Sequence, residues 1–182
     1  LADVAVINKM DTASPEDIQT VRENIYKVAP NAIVVDAASP IAVDDSSVIK
    51  GKRVLVVEDG PTLTHGEMKL GAGTVAALKF GAAEIIDPRP YVVGKLAETF
   101  EIYPNIGTLL PAMGYSDQQL KDLEASINNT DCDSVVIGTP IDLQRIVDIK
   151  KPSTRVYYDL QEIGQPSLEG ILNDFVIAQG LV

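Results

Sequence analysis

Four loops of this 182-residue sequence gather side chains suited to holding an anion. They are Glu58-Asp59-Gly60-Pro61-Thr62-Leu63-Thr64-His65-Gly66, Asp87-Pro88-Arg89-Pro90, Leu110-Pro111-Ala112-Met113-Gly114-Tyr115 and Gly138-Thr139-Pro140-Ile141-Asp142. Thr62, Thr64 and His65 can donate hydrogen bonds, Thr139 adds a hydroxyl, and Arg89 offers a bidentate fork. Gly71-Ala72-Gly73 opens a predicted helix, where backbone can approach a ligand closely and the dipole favours negative charge. Each loop alone reads as turn chemistry, with glycine and proline setting backbone angles. Together they read as one substrate site, because open α/β sheets bind ligands outside the carboxyl ends of their strands.

A second group sits earlier. The apolar run Ala2-Asp3-Val4-Ala5-Val6-Ile7 delivers Asn8-Lys9-Met10-Asp11 at its end, and Val34-Val35-Asp36-Ala37-Ala38-Ser39 follows after one helix. On residue types alone the first is a polar turn with Asp11 as a cap. The pair, in this order, resembles the two base-contacting loops of P-loop GTPases. That resemblance implies that Asp11 accepts from the two N–H groups of a guanine edge, that the Lys9 stem covers a base face, that Asn8 ties neighbouring loops, and that Ala38 and Ser39 offer a backbone amide. The phosphate-cradling Gly-x-x-x-x-Gly-Lys-Ser/Thr does not occur, so it is expected before Leu1, and this stretch alone is expected not to hydrolyse nucleotide.

The loops from Val57 to Leu143, taken with the base-reading pair, resemble the archaeal and bacterial predicted GTPases related to cyclic 2,3-diphosphoglycerate synthetase. The likeness spans nearly the whole chain. It implies nucleotide-dependent phosphoryl transfer to a small phosphorylated or anionic metabolite, with GTP or ATP and magnesium as cofactors of a longer parent protein. Guanine and adenine both stay open, since the motif points to guanine and the synthetase consumes ATP. A non-catalytic module that senses a metabolite beside a GTPase switch is the alternative.

Alternating strands and helices must position these residues. Ser14-Pro15-Glu16-Asp17 has the cap, proline and early acids of a helix start, and Ile18, Val21, Ile25 and Val28 recur on one face, predicting a helix over 15–28. Strands are predicted at 1–7, 32–35, 53–57, 83–86, 106–110, 134–137 and 155–158. Helices are predicted at 73–80, 91–100, after the Ser116 capping box, after Thr139 and after Ser167, the last with Leu168, Ile171, Leu172, Phe175 and Val176 as its inward stripe. Such alternation argues for a parallel sheet. The expected fold is α/β, with residues 1–45 ending a P-loop-type nucleotide-binding domain and 46–182 forming a Rossmann-like parallel-sheet domain.

Charge narrows the partners. With 26 acidic against 15 basic residues the net charge is -11, which repels polyanions and disfavours nucleic acid. One cysteine and one histidine cannot build a structural zinc site. The lone Cys132 fits a reducing compartment, and no apolar run is long enough to span a bilayer. A cytoplasmic protein is expected, and oligomers are compatible with everything above.

Overall fold

The computed structural model describes residues 2–60 and 71–180. The described residues form nine strands, β1 (Val4–Ile7), β2 (Ile33–Ala38), β3 (Ile41–Val43), β4 (Arg53–Asp59), β5 (Glu84–Ile85), β6 (Leu110–Ala112), β7 (Ser134–Gly138), β8 (Ser153–Tyr158) and β9 (Gln161–Glu162). Among them lie five α-helices, α1 (Pro15–Val28), α2 (Ala72–Lys79), α3 (Lys95–Ile102), α4 (Asp117–Asn129) and α5 (Leu168–Ala178). The architecture is α/β with mixed sheets. No helix among the described residues is long and apolar enough to cross a membrane.

The chain divides into two compact units, Leu1–Pro40 with Tyr158–Val182, and Ile41–Tyr157. The expected division at residue 45 differs from this in two ways. The break falls at residues 40 and 41, and the tail returns to the first unit because β9 pairs antiparallel with β2, Ala37 opposite Glu162. In the first unit β1 and β2 run parallel, Val4 opposite Ile33 and Ile7 opposite Asp36. The α1 start follows the capping signal, the Ser14 hydroxyl accepting from the Asp17 amide at 3.1 Å. Ser167 caps α5 in the same way, accepting from the Gly170 amide at 3.1 Å. The apolar stripe of α5 is not inward, however: none of its residues is buried, and Leu172 and Phe175 are 61% and 56% exposed.

The second unit is built around β4. Its Val54-Leu55-Val56-Val57 run is fully buried, as expected of a parallel strand covered on both faces. β7 lines one edge from Val54 to Glu58. The other edge is shared, β5 pairing with Arg53 and Val54 and β6 with Val57 to Asp59. All these pairs, and β7 with β8, are parallel. The strand order is β3-β8-β7-β4-β5, with β6 also against β4.

Three local expectations change. The helix expected over 91–100 is a short 3-10 turn, Arg89–Tyr91, followed by α3, because Gly94 at φ +57 turns the chain between them. A side chain at Gly94 would collide with the Asp122 carboxylate, 2.3 Å from the added carbon. The strand expected at 106–110 forms only at Leu110–Ala112. After Thr139 only a 3-10 turn, Leu143–Arg145, appears. The capping box at Ser116 is present, and Leu123 and Ile127 of α4 enter the core.

Candidate functional site

In the first unit the two predicted base-reading loops meet. Asn8 Oδ1 accepts from the Lys9 amide at 2.8 Å and supports a backbone turn in which Lys9 sits at φ +61. A lysine in that left-handed region costs roughly 1–2 kcal/mol, and such strain persists where surrounding structure fixes it, often at functional sites. The Lys9 carbonyl accepts from the amides of Thr12 and Ala13 at 3.1 and 3.0 Å, closing the turn. The Met10 amide donates to the Ala37 carbonyl at 3.1 Å, and Asp11 Oδ1 accepts from the Ser39 amide at 3.0 Å. Asp11 Oδ2 has no hydrogen-bond partner among the described residues, and the side chain is exposed. Asn8, Lys9, Asp11 and Ser39 are thus drawn together, with Ala38 half-buried at the end of β2. An Arg22–Asp36 ion pair of 2.7 Å ties α1 to the same strand end.

The second unit holds a buried carboxylate that sequence reasoning passed over. Glu58, near the carboxyl end of β4, is 2% exposed and lies at the start of α2. Its Oε1 accepts from the Thr74 amide at 2.8 Å and from the Thr74 hydroxyl at 3.1 Å, and the Gly73 amide also donates to the carboxylate. A carbon added at Gly71 would lie 2.3 Å from the Glu58 carboxyl carbon, and one at Gly138 would lie 2.6 Å from Oε2. Glycine is therefore required on both sides. Burial pushes the Glu58 pKa above its ordinary 4.5, opposed by the Thr74 and Gly73 hydrogen bonds and reinforced by neighbouring Asp59.

This arrangement changes the reading of the Gly71 to Gly73 helix start. Its amides already hold an anion, and that anion is the protein's own Glu58. The clue in the sequence was a charged residue ending a fully apolar strand, with Gly-x-Gly downstream.

Arg89 is likewise engaged internally. Its guanidinium donates to Asp87 Oδ2 at 2.9 Å, to the Pro104 carbonyl at 3.4 Å and to the Ile106 carbonyl, and stacks 5.1 Å from the Phe100 ring centre. It pins the 103–107 loop to the turn after β5. The Thr139 hydroxyl donates to the Ile141 carbonyl at 2.8 Å and is buried, closing its own loop. Thr62, Thr64 and His65 lie outside the described residues. Arg89→Lys is therefore expected to lower stability by about 1–2 kcal/mol through lost carbonyl contacts, read by chemical denaturation. Unchanged stability with lost metabolite affinity would return Arg89 to the ligand site.

Carboxylates dominate the remaining strand-end chemistry. Asp142 Oδ2 meets Arg145 at 3.1 Å and Arg155 at 3.4 Å, while its buried Oδ1 and the buried Arg155 Nε have no partner among the described residues. The Tyr115 hydroxyl is also buried without a partner among the described residues. Among the described residues no three His, Cys, Asp or Glu side chains converge to hold a metal.

No protein-family model matches the chain. It is similar to arginine synthetase ArcE of Thermococcus kodakarensis, 62% identical over 174 residues. The matched stretch covers 96% of this chain and 39% of that relative's length.

Proposed function

We propose that this chain supplies the base-reading loops and a metabolite-binding α/β unit to a protein that transfers phosphoryl groups from a nucleoside triphosphate. The single observation behind this reading is the Asp11–Ser39 contact. It spans the ends of two parallel strands and leaves the other carboxylate oxygen without a hydrogen-bond partner among the described residues. A carboxylate held in that way can accept from the paired N–H groups of a guanine edge. In this reading residues up to about Pro40 end a P-loop-type domain, and the phosphate-cradling loop and the ligands of a nucleotide-bound magnesium belong to other parts of the protein.

The metabolite carries an anionic group. The loops that resemble the cyclic 2,3-diphosphoglycerate synthetase relatives favour phosphoryl transfer, and the name of the 62% identical relative makes arginine the metabolite to test first. Arginine satisfies the anionic requirement through its α-carboxylate. The half-buried, single Cys132 fits a cytoplasmic setting.

The test is turnover by the intact protein, supplied with GTP or ATP, magnesium and arginine or a precursor of it, with products identified by mass spectrometry. Metabolite-dependent conversion of the nucleoside triphosphate to its diphosphate is expected, with the γ-phosphoryl group recovered on the metabolite or as inorganic phosphate. Tight binding of both ligands with no turnover would instead make the second unit a metabolite sensor beside a nucleotide switch.

A further inference from the structure

Between α3 and α4, beyond the carboxyl end of β6, lies a cavity of about 160 Å³. It is smaller than the roughly 300–1,000 Å³ of drug-sized sites, so it suits a small metabolite rather than a nucleotide. Leu96, Pro111, Met113 and Leu123 supply an apolar lining, and Lys95 and Glu98 bring opposite charges to it.

Asp122 forms part of the wall and is only 7% exposed. Its Oδ2 accepts from the Lys95 amide at 3.1 Å and its Oδ1 from Gln118 Nε2 at 2.8 Å. Both donors are neutral. No Lys, Arg or His group among the described residues forms an ion pair with it. A carboxylate offers about four acceptor sites, so these two bonds, the ones Asp122 accepts among the described residues, leave capacity unused. Buried charges are as a rule paired, and here the α3 amino end and two dipoles stand in for a cation.

We infer that this cavity binds a basic amino acid, with Asp122 and Glu98 meeting its cationic end, the apolar lining holding its aliphatic chain, and Lys95 meeting its carboxylate. The ligand's identity rests on the reading above, whereas the location rests on the cavity alone. None of the groups named here belongs to the Asp11 loop or to the Glu58 cradle.

The experiment is calorimetric titration of the intact protein with L-arginine in the absence of nucleotide, with L-norvaline and inorganic phosphate as controls. Arginine should bind, and norvaline, which lacks the cation, should bind at least tenfold more weakly. Asp122→Asn should weaken arginine by about tenfold or more. Because Asp122 also caps α3, a second variant, Ile102→Trp, tests the site without touching the cap. Ile102 is 68% exposed and lines the cavity, so a tryptophan there obstructs it while the fold persists. It should weaken arginine at least tenfold and leave nucleotide affinity unchanged. Unaltered arginine affinity in Ile102→Trp overturns the cavity assignment while leaving arginine-linked turnover intact. Equal affinity for norvaline, or phosphate binding that Ile102→Trp abolishes, overturns the assignment of ligand class.

Discussion

Glu58→Ala is expected to destabilise the protein by about 2–4 kcal/mol. Removing the carboxylate strands the Thr74 amide, its hydroxyl and the Gly73 amide at a buried helix start, and opens a cavity between Gly71 and Gly138. For a protein of this size the melting temperature should fall by roughly 10 °C. Glu58→Gln keeps an acceptor for Thr74 and avoids burying a charge, so it should cost less than about 1 kcal/mol near neutral pH. The pH dependence separates the two causes. Because burial raises the Glu58 pKa in the folded state, the native protein holds that proton more tightly than the unfolded chain does. Its contribution is therefore full below the ordinary value of 4.5 and is lost as pH rises through the raised folded value. Relative to Glu58→Gln, wild type should lose stability as pH climbs from below 4.5 to neutral. Parallel curves for the two proteins would show that the carboxylate carries no burial penalty.

Asp11→Ala is expected to weaken nucleotide binding by the intact protein by tenfold or more while leaving its stability nearly unchanged. Hydrogen bonds to a charged group are worth roughly 1.5–3 kcal/mol, and each 1.4 kcal/mol is about a tenfold change in affinity. The small stability effect follows from exposure: among the described residues Asp11 makes a single hydrogen bond, to Ser39, from an exposed turn. Fluorescent-nucleotide titration and thermal melting would be read on the same samples. A large drop in melting temperature with unchanged nucleotide affinity would make Asp11 a cap for the Ser39 loop and nothing more.

Much of the fold was legible because its signals are local. Ser14, Pro15 and the two acids behind them mark the α1 start, and the Val54 to Val57 run marks a doubly covered strand. The meeting of Asp11 with Ser39 was legible for a related reason, since parallel strands joined by one helix bring their following loops to the same edge. What stayed hidden depends on long-range packing. The charged end of β4 and the Gly-x-Gly downstream hint that Glu58 is held, but they do not say that its partner is the amide of Thr74, sixteen residues on, and nothing near Gly94 announces Asp122. Arg89 was read as a free phosphate fork, yet the carbonyls it serves belong to Pro104 and Ile106 on a loop whose path its sequence does not fix. The tail misled in a similar way. Gln161–Glu162 has no strand pattern of its own, and its pairing with β2 places residues 158–180 in the first unit.

The central claim is that the Asp11 loop reads a nucleotide base, and the most direct measurement is base preference in the intact protein before and after Asp11→Asn. Competition binding would compare guanosine, xanthosine and adenosine triphosphates. Wild type should prefer guanine, whose two N–H groups match the acceptors of a carboxylate. The asparagine variant should move toward xanthine, because its amide can donate to the carbonyl that replaces guanine's amino group, giving a reversal of preference of tenfold or more. Preference for adenine in wild type, or the same order of affinities in both proteins, would contradict the account.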